Sequence, residues 1–342
     1  MSARLPASAV RDGFAARARL HPLEVVFWLA ALGTVFLLPG RHLLLTEIAI
    51  LGLFALSLDL ILGYAGIVSL GHAAFFGFGA YAAGLLAKHG LLAEPLLALI
   101  VAGLAAGALG FATSFLVLRG SDLTRIMVTL GVALVLREVA NRYAWLTGGA
   151  DGLQGVEMAP LLGRWRFDMF GHTAYCYALC VLFVLFVLAR RIVNSPFGLS
   201  LQAIRGNPLR AAALGIPVDR RLVAVYTLSA AYAGIAGALL TQTTAFASLS
   251  VFDFERSADL LLVLIIGGTG YLYGGLIGAI VFKLMQDYLA YLTPQYWPFW
   301  IGLLLVAIVL VGRERVAGWA LPLRRLVARL DWRGRPAPAA GE

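Results

Sequence analysis

The stretch Leu43-Leu-Leu-Thr-Glu-Ile-Ala-Ile-Leu-Gly-Leu-Phe-Ala-Leu-Ser-Leu-Asp-Leu-Ile-Leu62 is almost entirely apolar, and Glu47 and Asp59 are its only charged residues. A helix of about 20 residues crosses the hydrocarbon layer of a bilayer. Inside that layer each backbone polar group needs a partner within its own segment, and a helix supplies those partners. This stretch therefore predicts a membrane-spanning helix.

Similar apolar runs recur along the chain. They cover 23–39, 70–87, 92–118, 126–147, 174–193, 222–245 and 296–311, with a glycine-interrupted stretch between 257 and 292. The chain has 342 residues, of which 61% are hydrophobic and only 13% are charged. Soluble domains carry about 25% charged residues. The composition thus excludes an ordinary soluble protein and predicts an all-α, polytopic integral membrane protein.

The arginines predict the orientation of these runs. They concentrate in segments 1–20, 190–221 and 313–335, and basic segments next to spans stay on the cytoplasmic side of a membrane. Both chain ends are therefore predicted to be cytoplasmic, which requires an even number of spans. The net charge of +9 comes from these arginines. Since they lie beside the spans and orient them, the charge does not indicate a nucleic-acid partner.

The glycine-interrupted stretch decides the number of spans. Splitting it at Gly267-Gly-Thr-Gly270 into 258–267 and 274–292 gives about ten transmembrane helices. The segment 258–267 is too short to cross alone, so it has to be tilted, extended by its neighbours or partly re-entrant. The predicted organisation is a basic cytoplasmic segment at 1–22, a transmembrane domain at 23–312, and a basic cytoplasmic tail at 313–342.

The polar loop 194–221 carries two helix-start signals. Ser195-Pro196 and Asn207-Pro208 each place a capping side chain before a proline, and Gly206 and Gly215 follow as stop signals. The loop therefore predicts two short helices, at 196–205 and 208–214.

The first of these helices is amphipathic. Phe197, Leu201 and Ile204 share one face, and Arg205 stands at its end. Such an element docks into another protein's groove in some proteins and lies at the membrane surface in others. The spacing leaves both interpretations open.

Four groups of motifs stand in order along the chain: Gly63-Tyr-Ala-Gly-Ile-Val-Ser-Leu-Gly-His-Ala-Ala-Phe-Phe-Gly-Phe-Gly-Ala-Tyr81; Leu146-Thr-Gly-Gly-Ala-Asp-Gly-Leu153; Ser195-Pro-Phe-Gly with Ala203-Ile-Arg-Gly-Asn207 and Ala213-Leu-Gly-Ile216; and Gly267-Gly-Thr-Gly270 with Gly274-Gly275. Together they resemble the LivM-type permeases of branched-chain amino-acid ABC importers. The resemblance extends over roughly residues 45–312.

This resemblance implies the permease fold of an ABC importer and a set of partners. They are a second related permease, two cytoplasmic ABC ATPases, and a solute-binding protein that delivers leucine, isoleucine or valine, all at the inner membrane of a bacterial-type cell. In this family the loop matching 196–216 contacts the ATPases. The candidate coupling residues are Phe197, Leu201, Arg205, Asn207, Leu209, Ala212 and Gly215. Similar permeases carry urea or short amides, which stay an alternative cargo.

The sequence predicts no catalytic, metal or cofactor site in this chain. A P-loop needs a lysine within a glycine-rich motif, and the only lysines, Lys88 and Lys283, lack that context. ATP and Mg²⁺ are therefore expected to be used by the partner ATPases. A stand-alone secondary transporter or channel is an alternative, whereas an intramembrane enzyme is disfavoured by the lack of a recognisable catalytic motif.

Polar residues within spans are candidates for the solute pathway, because burying them in a membrane is costly. The candidates are Ser57, Asp59, Gly66, Ser69, His72, Glu138 and Asn141. The turn at Gly66–His72 can offer free N–H groups to a carboxylate, or it can be a close-packed glycine turn. Glu138 can line the pathway, or it can reach Asn141 and Arg142 in a polar ladder that braces the spans.

Overall fold

A computed structural model describes residues 22–168 and 170–311. The described residues fall into two compact units, which divide between Phe282 and Lys283. The predicted cytoplasmic tail 313–342 and all but the last residue of the predicted cytoplasmic segment 1–22 lie outside the described residues, and both stay predictions.

The described residues form thirteen α-helices, with β-bridges only as isolated pairs. The helices are α1 (Pro22–Leu37), α2 (His42–Ala65), α3 (Ala73–Lys88), α4 (Pro95–Val117), α5 (Asp122–Arg142), α6 (Ala144–Thr147), α7 (His172–Val193), α8 (Pro196–Gly206), α9 (Pro208–Ala213), α10 (Val218–Thr244), α11 (Phe254–Gly267), α12 (Leu272–Leu292) and α13 (Trp297–Val311). Two 3₁₀ turns lie at Gly149–Asp151 and Leu249–Phe252. The predicted all-α class is confirmed.

Five of these helices, α2, α4, α7, α10 and α12, are long and apolar enough to cross a membrane, and α1 and α3 are shorter apolar helices. The prediction of a multi-pass membrane protein is therefore confirmed, whereas the number ten stays a prediction. Helix α11 has 14 residues, so it measures about 21 Å at 1.5 Å per residue. The hydrocarbon layer is about 30 Å thick, and α11 cannot cross it along the membrane normal.

The predicted break in the glycine-interrupted stretch is confirmed. Helix α11 ends at Gly267, and α12 begins at Leu272. Between them the chain turns through Gly268 and Gly270, whose φ angles are +101° and +79°. Helix α11 begins at Phe254, four residues before the predicted start at 258, and the choice between a tilted, an extended and a partly re-entrant segment stays a prediction.

The core of the first unit is built on α2, α3 and α10. Leu53, Leu56 and Ile61 of α2 are completely buried, and α10 packs along α2, α3 and α4. Helices α3 and α10 approach so closely that a Cβ atom on Gly79 would lie 2.1 Å from the carbonyl oxygen of Gly234. Small residues permit this approach, which is how helices gain dispersion contacts inside a membrane.

Helix α1 packs against α7. The Arg190 guanidinium near the end of α7 forms an ion pair with Glu24 in the first turn of α1. Farther along, the Thr34 and Tyr175 hydroxyls are 2.7 Å apart. The start of α1 therefore lies beside the end of α7, where the polar loop 194–221 begins.

The Gly148–Leu153 segment packs at the end of the helices opposite to the polar loop 194–221. The backbone N–H of Leu153 donates to the carbonyl of Ala247 at 2.7 Å, and the Leu153 side chain is completely buried. Gly148, Gly149 and Gly152 all have positive φ angles. This explains the glycine-rich motif at 146–153, because residues with side chains adopt such angles at a cost.

Candidate functional site

The polar loop folds as the sequence predicts. Helix α8 begins after Ser195, whose side chain accepts a hydrogen bond from Phe197 N–H. Helix α9 begins after Asn207, whose side chain accepts from Arg210 N–H at 2.9 Å. Gly215 follows α9 with a φ of +83°. Both predicted helices are confirmed to within one residue at their ends, since the sequence supplied caps and stops locally.

The apolar face of α8 is covered by the protein's own helices. Leu201 and Ile204 are 1% and 4% exposed, and α8 packs against α2, α7 and α10. Phe197 is half-buried beneath the Arg221 guanidinium, 5.3 Å from its ring centre. The docking face expected on this helix is therefore not available, because its apolar residues fasten the loop to the transmembrane body.

The exposed apolar side chains of this loop lie instead on and just after α9. Leu209 is 83% exposed and Leu214 is 74% exposed. Ala212 is also exposed, whereas Ala211 is buried beneath it. Asn207 and Gly215 serve as the cap and stop of this helix. We call Leu209, Ala212 and Leu214 the α9 surface.

The polar residues of the turn before α3 are packed inside the protein. Ser57, Ser69 and His72 are completely buried. The Ser57 hydroxyl lies 2.9 Å from His72 Nε2 and donates to the Phe54 carbonyl. Ser229 of α10 lies 3.4 Å from the same imidazole nitrogen. Sequence spacing does not predict this Ser–His contact, because its members come from three separate segments.

The first N–H groups of α3 already have partners. Ala73 N–H donates to the Ser257 hydroxyl at 3.0 Å, and Ala74 and Phe75 N–H donate to carbonyls of the turn itself. Ser257 is completely buried. These contacts are those of a close-packed turn, the second of the two interpretations. A direct role of Gly66, Ser69 or His72 in the solute pathway stays a prediction.

Asp59 is completely buried near the end of α2. Its Oδ1 accepts a hydrogen bond from the backbone N–H of Gly270 at 2.7 Å. Asp59 therefore contacts the α11–α12 turn, which the sequence places more than 200 residues away. Spacing along the chain carried no signal for this contact.

The polar face of α5 is exposed on the surface of the chain. Glu138 and Asn141 are both exposed, as is Arg142. The helix ends at Arg142, so these residues lie in its last two turns and not at its centre. Charged groups are costly against lipid, which indicates that this face meets protein or water.

The ion pair at this face differs from the predicted ladder. Arg137 Nε lies 3.0 Å from Asp253 Oδ1, and both side chains are partly exposed. Asp253 precedes the first residue of α11. Within residues 22–168 and 170–311, no ion pair joins Glu138 to Arg142. The bridge therefore connects α5 to the start of α11 rather than bracing α5 on itself.

We expect the Arg137–Asp253 pair to show an interaction free energy of about 1 kcal/mol, the upper end for exposed pairs. Arg137→Leu and Asp253→Leu should each destabilise the protein, and the double variant should be less destabilised than their sum. The check is a double-mutant cycle by thermal unfolding in lipid nanodiscs. The Glu138→Leu/Arg142→Leu cycle is the matched control and should give a value near zero. An equal interaction energy in both cycles would contradict the assignment.

Comparison with known proteins identifies the family. The family described as "Branched-chain amino acid transport system / permease component" matches residues 42–309. The high-affinity branched-chain amino acid transport system permease protein LivM of Escherichia coli K12 is 29% identical over 265 residues, which are 70% of this chain and 62% of that protein. This chain therefore spans less than two thirds of the length of that relative.

Sugar permeases are also similar. The ribose import permease protein RbsC of Bacillus subtilis is 28% identical over 86% of this chain and 91% of its own. The L-arabinose ABC transporter permease protein AraH of Azospirillum brasilense is 27% identical over 78% of each chain. No solved structure gives a significant match. Because the family match extends over residues 42–309, the chain belongs to the ABC importer permease family described as "Branched-chain amino acid transport system / permease component".

Proposed function

We propose that this chain forms part of the path by which leucine, isoleucine and valine cross the inner membrane of a bacterial-type cell. ATP hydrolysis by partner subunits drives the transport. The observation that carries this proposal is the α9 surface, which is apolar, exposed and held on two capped helices between α7 and α10. An exposed apolar patch on a rigid element is typical of a protein contact.

The proposed complex contains a second related permease, two cytoplasmic ABC ATPases and a solute-binding protein. The α9 surface is proposed to receive an ATPase. The exposed charges of α5, with Glu138 and Asn141 among them, are proposed to face the second permease or the solute path, since neither environment is pure hydrocarbon.

We also propose ten spans with both ends in the cytoplasm. The ion pair between Glu24 and Arg190 supports this arrangement, because it places the start of α1 at the same end as the basic loop 194–221. The positive-inside tendency assigns that end to the cytoplasm.

The cargo rests on the LivM relative, and the test is direct. The tagged chain is purified with its partners, reconstituted in vesicles and supplied with the solute-binding protein and ATP. We expect ATP-dependent uptake of labelled leucine, with excess isoleucine and valine each reducing it by more than half. A non-hydrolysable ATP analogue provides the control and should abolish uptake.

Two other outcomes would revise the proposal. Uptake of urea or a pentose without leucine uptake would contradict the cargo, and the similar sugar permeases make ribose and arabinose the solutes to include. Leucine uptake by the chain alone, driven by an ion gradient, would instead indicate a secondary transporter.

A further inference from the structure

The end of α8 contacts the end of a transmembrane helix. The Arg205 guanidinium, one residue before the end of α8, donates through Nη1 to the carbonyl oxygen of Gly63. Gly63 lies in the last turn of α2, where the carbonyl oxygens receive no hydrogen bond from an N–H group of the same helix. A cation at this position also interacts favourably with the helix dipole. Arg205 therefore fills a bonding position that α2 leaves open.

The α11–α12 turn meets the same point. Asp59, one helical turn before Gly63, accepts a hydrogen bond from Gly270 N–H at 2.7 Å. A Cβ atom on Gly63 would lie 2.1 Å from Asp59 Oδ1 and 2.5 Å from the Gly270 nitrogen. A Cβ atom on Gly270 would lie 3.0 Å from Arg205 Nη1. Three segments distant in sequence thus converge where no additional side chain fits.

The surroundings leave Arg205 room to move. A cavity of about 390 Å³ opens beside it, lined by Gly63, Tyr64, Gln202, Arg205, Gly206 and Gly270. Arg205 is exposed on the side of α8, whereas Asp59 is completely buried. The contact between α2 and the α11–α12 turn is therefore sheltered, and the contact from α8 is the accessible one.

We propose that Arg205, Asp59, Gly63 and Gly270 form a joint through which movement of α8 and α9 reaches α2 and the α11–α12 turn. We call these four residues the Arg205 joint. The proposal rests on the proposed function, since the movement originates where an ATPase contacts the α9 surface. Leu201 and Ile204 hold α8 against the transmembrane body, and Arg205 connects its end to two transmembrane segments. Asp59 is then a positioning residue rather than a contact of the solute.

Arg205→Met tests the joint in the complete complex. Methionine keeps an unbranched apolar side chain against Gly66, where an added Cβ atom would lie 3.1 Å from Arg205 Cγ. It removes the hydrogen-bond donor to the Gly63 carbonyl. We expect the number of solute molecules taken up per ATP hydrolysed to fall about tenfold, the effect of losing one hydrogen bond to a charged group. Arg205→Lys, which still donates, should recover most of the ratio.

Arg191→Met is the matched control, because Arg191 is an exposed arginine in the last turn of α7. It should leave the ratio unchanged. All variants should assemble with the ATPases as the wild type does. An Arg205→Met complex that couples hydrolysis to uptake like the wild type would overturn the proposal.

A second measurement tests the joint without transport. Spin labels at Gln202 and Tyr271, both exposed, report the distance from α8 to the α11–α12 turn in a background without the exposed Cys176 and Cys180. We expect a narrow distribution in the isolated chain in nanodiscs and a broader one with Arg205→Met. Identical distributions would overturn the joint. Failure of the wild-type chain to assemble with ATPases would overturn the proposed function and the coupling role together, while the label distances would still decide whether Arg205 holds the turn.

Discussion

Gly79→Ala should prevent this protein from accumulating in its folded form. The added Cβ atom would lie 2.1 Å from the Gly234 carbonyl oxygen and 2.4 Å from the Gly234 Cα atom. Both are backbone atoms of α10, so no side chain can rotate away to make space. Overpacking of a core costs about 1–3 kcal/mol and sometimes more, and the contact between α3 and α10 lies at the centre of the first unit. The measurement is the yield of monodisperse protein in detergent, followed by thermal unfolding.

Gly131→Ala is the matched control for this substitution. Gly131 lies within α5, and a Cβ atom there would meet nothing within 4 Å. Replacing a glycine by alanine inside a helix stabilises it by roughly 0.5–1 kcal/mol, so this variant should unfold at an equal or higher temperature. Equal stability of the two variants would show that α3 and α10 do not cross as closely as described.

Leu209→Asp should abolish transport while leaving the subunit folded. Leu209 is 83% exposed, so a charge at this position should not disturb the core. If the α9 surface receives an ATPase, the aspartate becomes a desolvated charge in an apolar contact, with a loss of at least about 2 kcal/mol of binding free energy. Co-purification of the ATPases and uptake in reconstituted vesicles should fall together.

Leu162→Asp makes the same chemical change elsewhere. Leu162 is 60% exposed in the loop before α7, away from α8 and α9, and this variant should keep its partners. If the Leu209→Asp complex assembles and couples hydrolysis to uptake like the wild type, the loop does not couple the subunits. The interpretation that the α9 surface lies against the membrane should then replace the docking interpretation.

For the polar loop 194–221, the sequence predicted the helices correctly, whereas only the structure showed which of its residues are buried and which are exposed. Ser195, Asn207 and Gly215 act on the backbone within a few residues, and their positions predicted both helices. The apolar face of α8 gave no indication of its partner, because burial against α2 and docking on another protein need the same spacing. Only the packing showed that Leu201 is covered and that Leu209 is not.

For the polar residues of the spans, too, sequence spacing did not predict the contact partners. Helical spacing connects Glu138 to its neighbours on α5, yet Arg137, the residue next to it, pairs with Asp253 before α11. The sequence marks His72 and Ser57 as polar residues within spans, but it does not predict their contacts with Ser229. Periodicity describes neighbours on one helix, whereas these contacts join helices far apart in the chain.

The sequence by itself determined the helical class, the membrane location, the break at Gly267–Gly270 and the two capped helices of the loop. Each depends on interactions that are local along the chain: backbone hydrogen bonds within a helix, caps, and the transfer of a continuous apolar segment from water to lipid. The tertiary structure alone decided that Asp59, Gly63, Arg205 and Gly270 converge. Their contacts depend on how α2, α8 and the α11–α12 turn pack. Gly63 and Gly270 permit the close approach of these segments, but a glycine in a sequence does not indicate which segment packs against it.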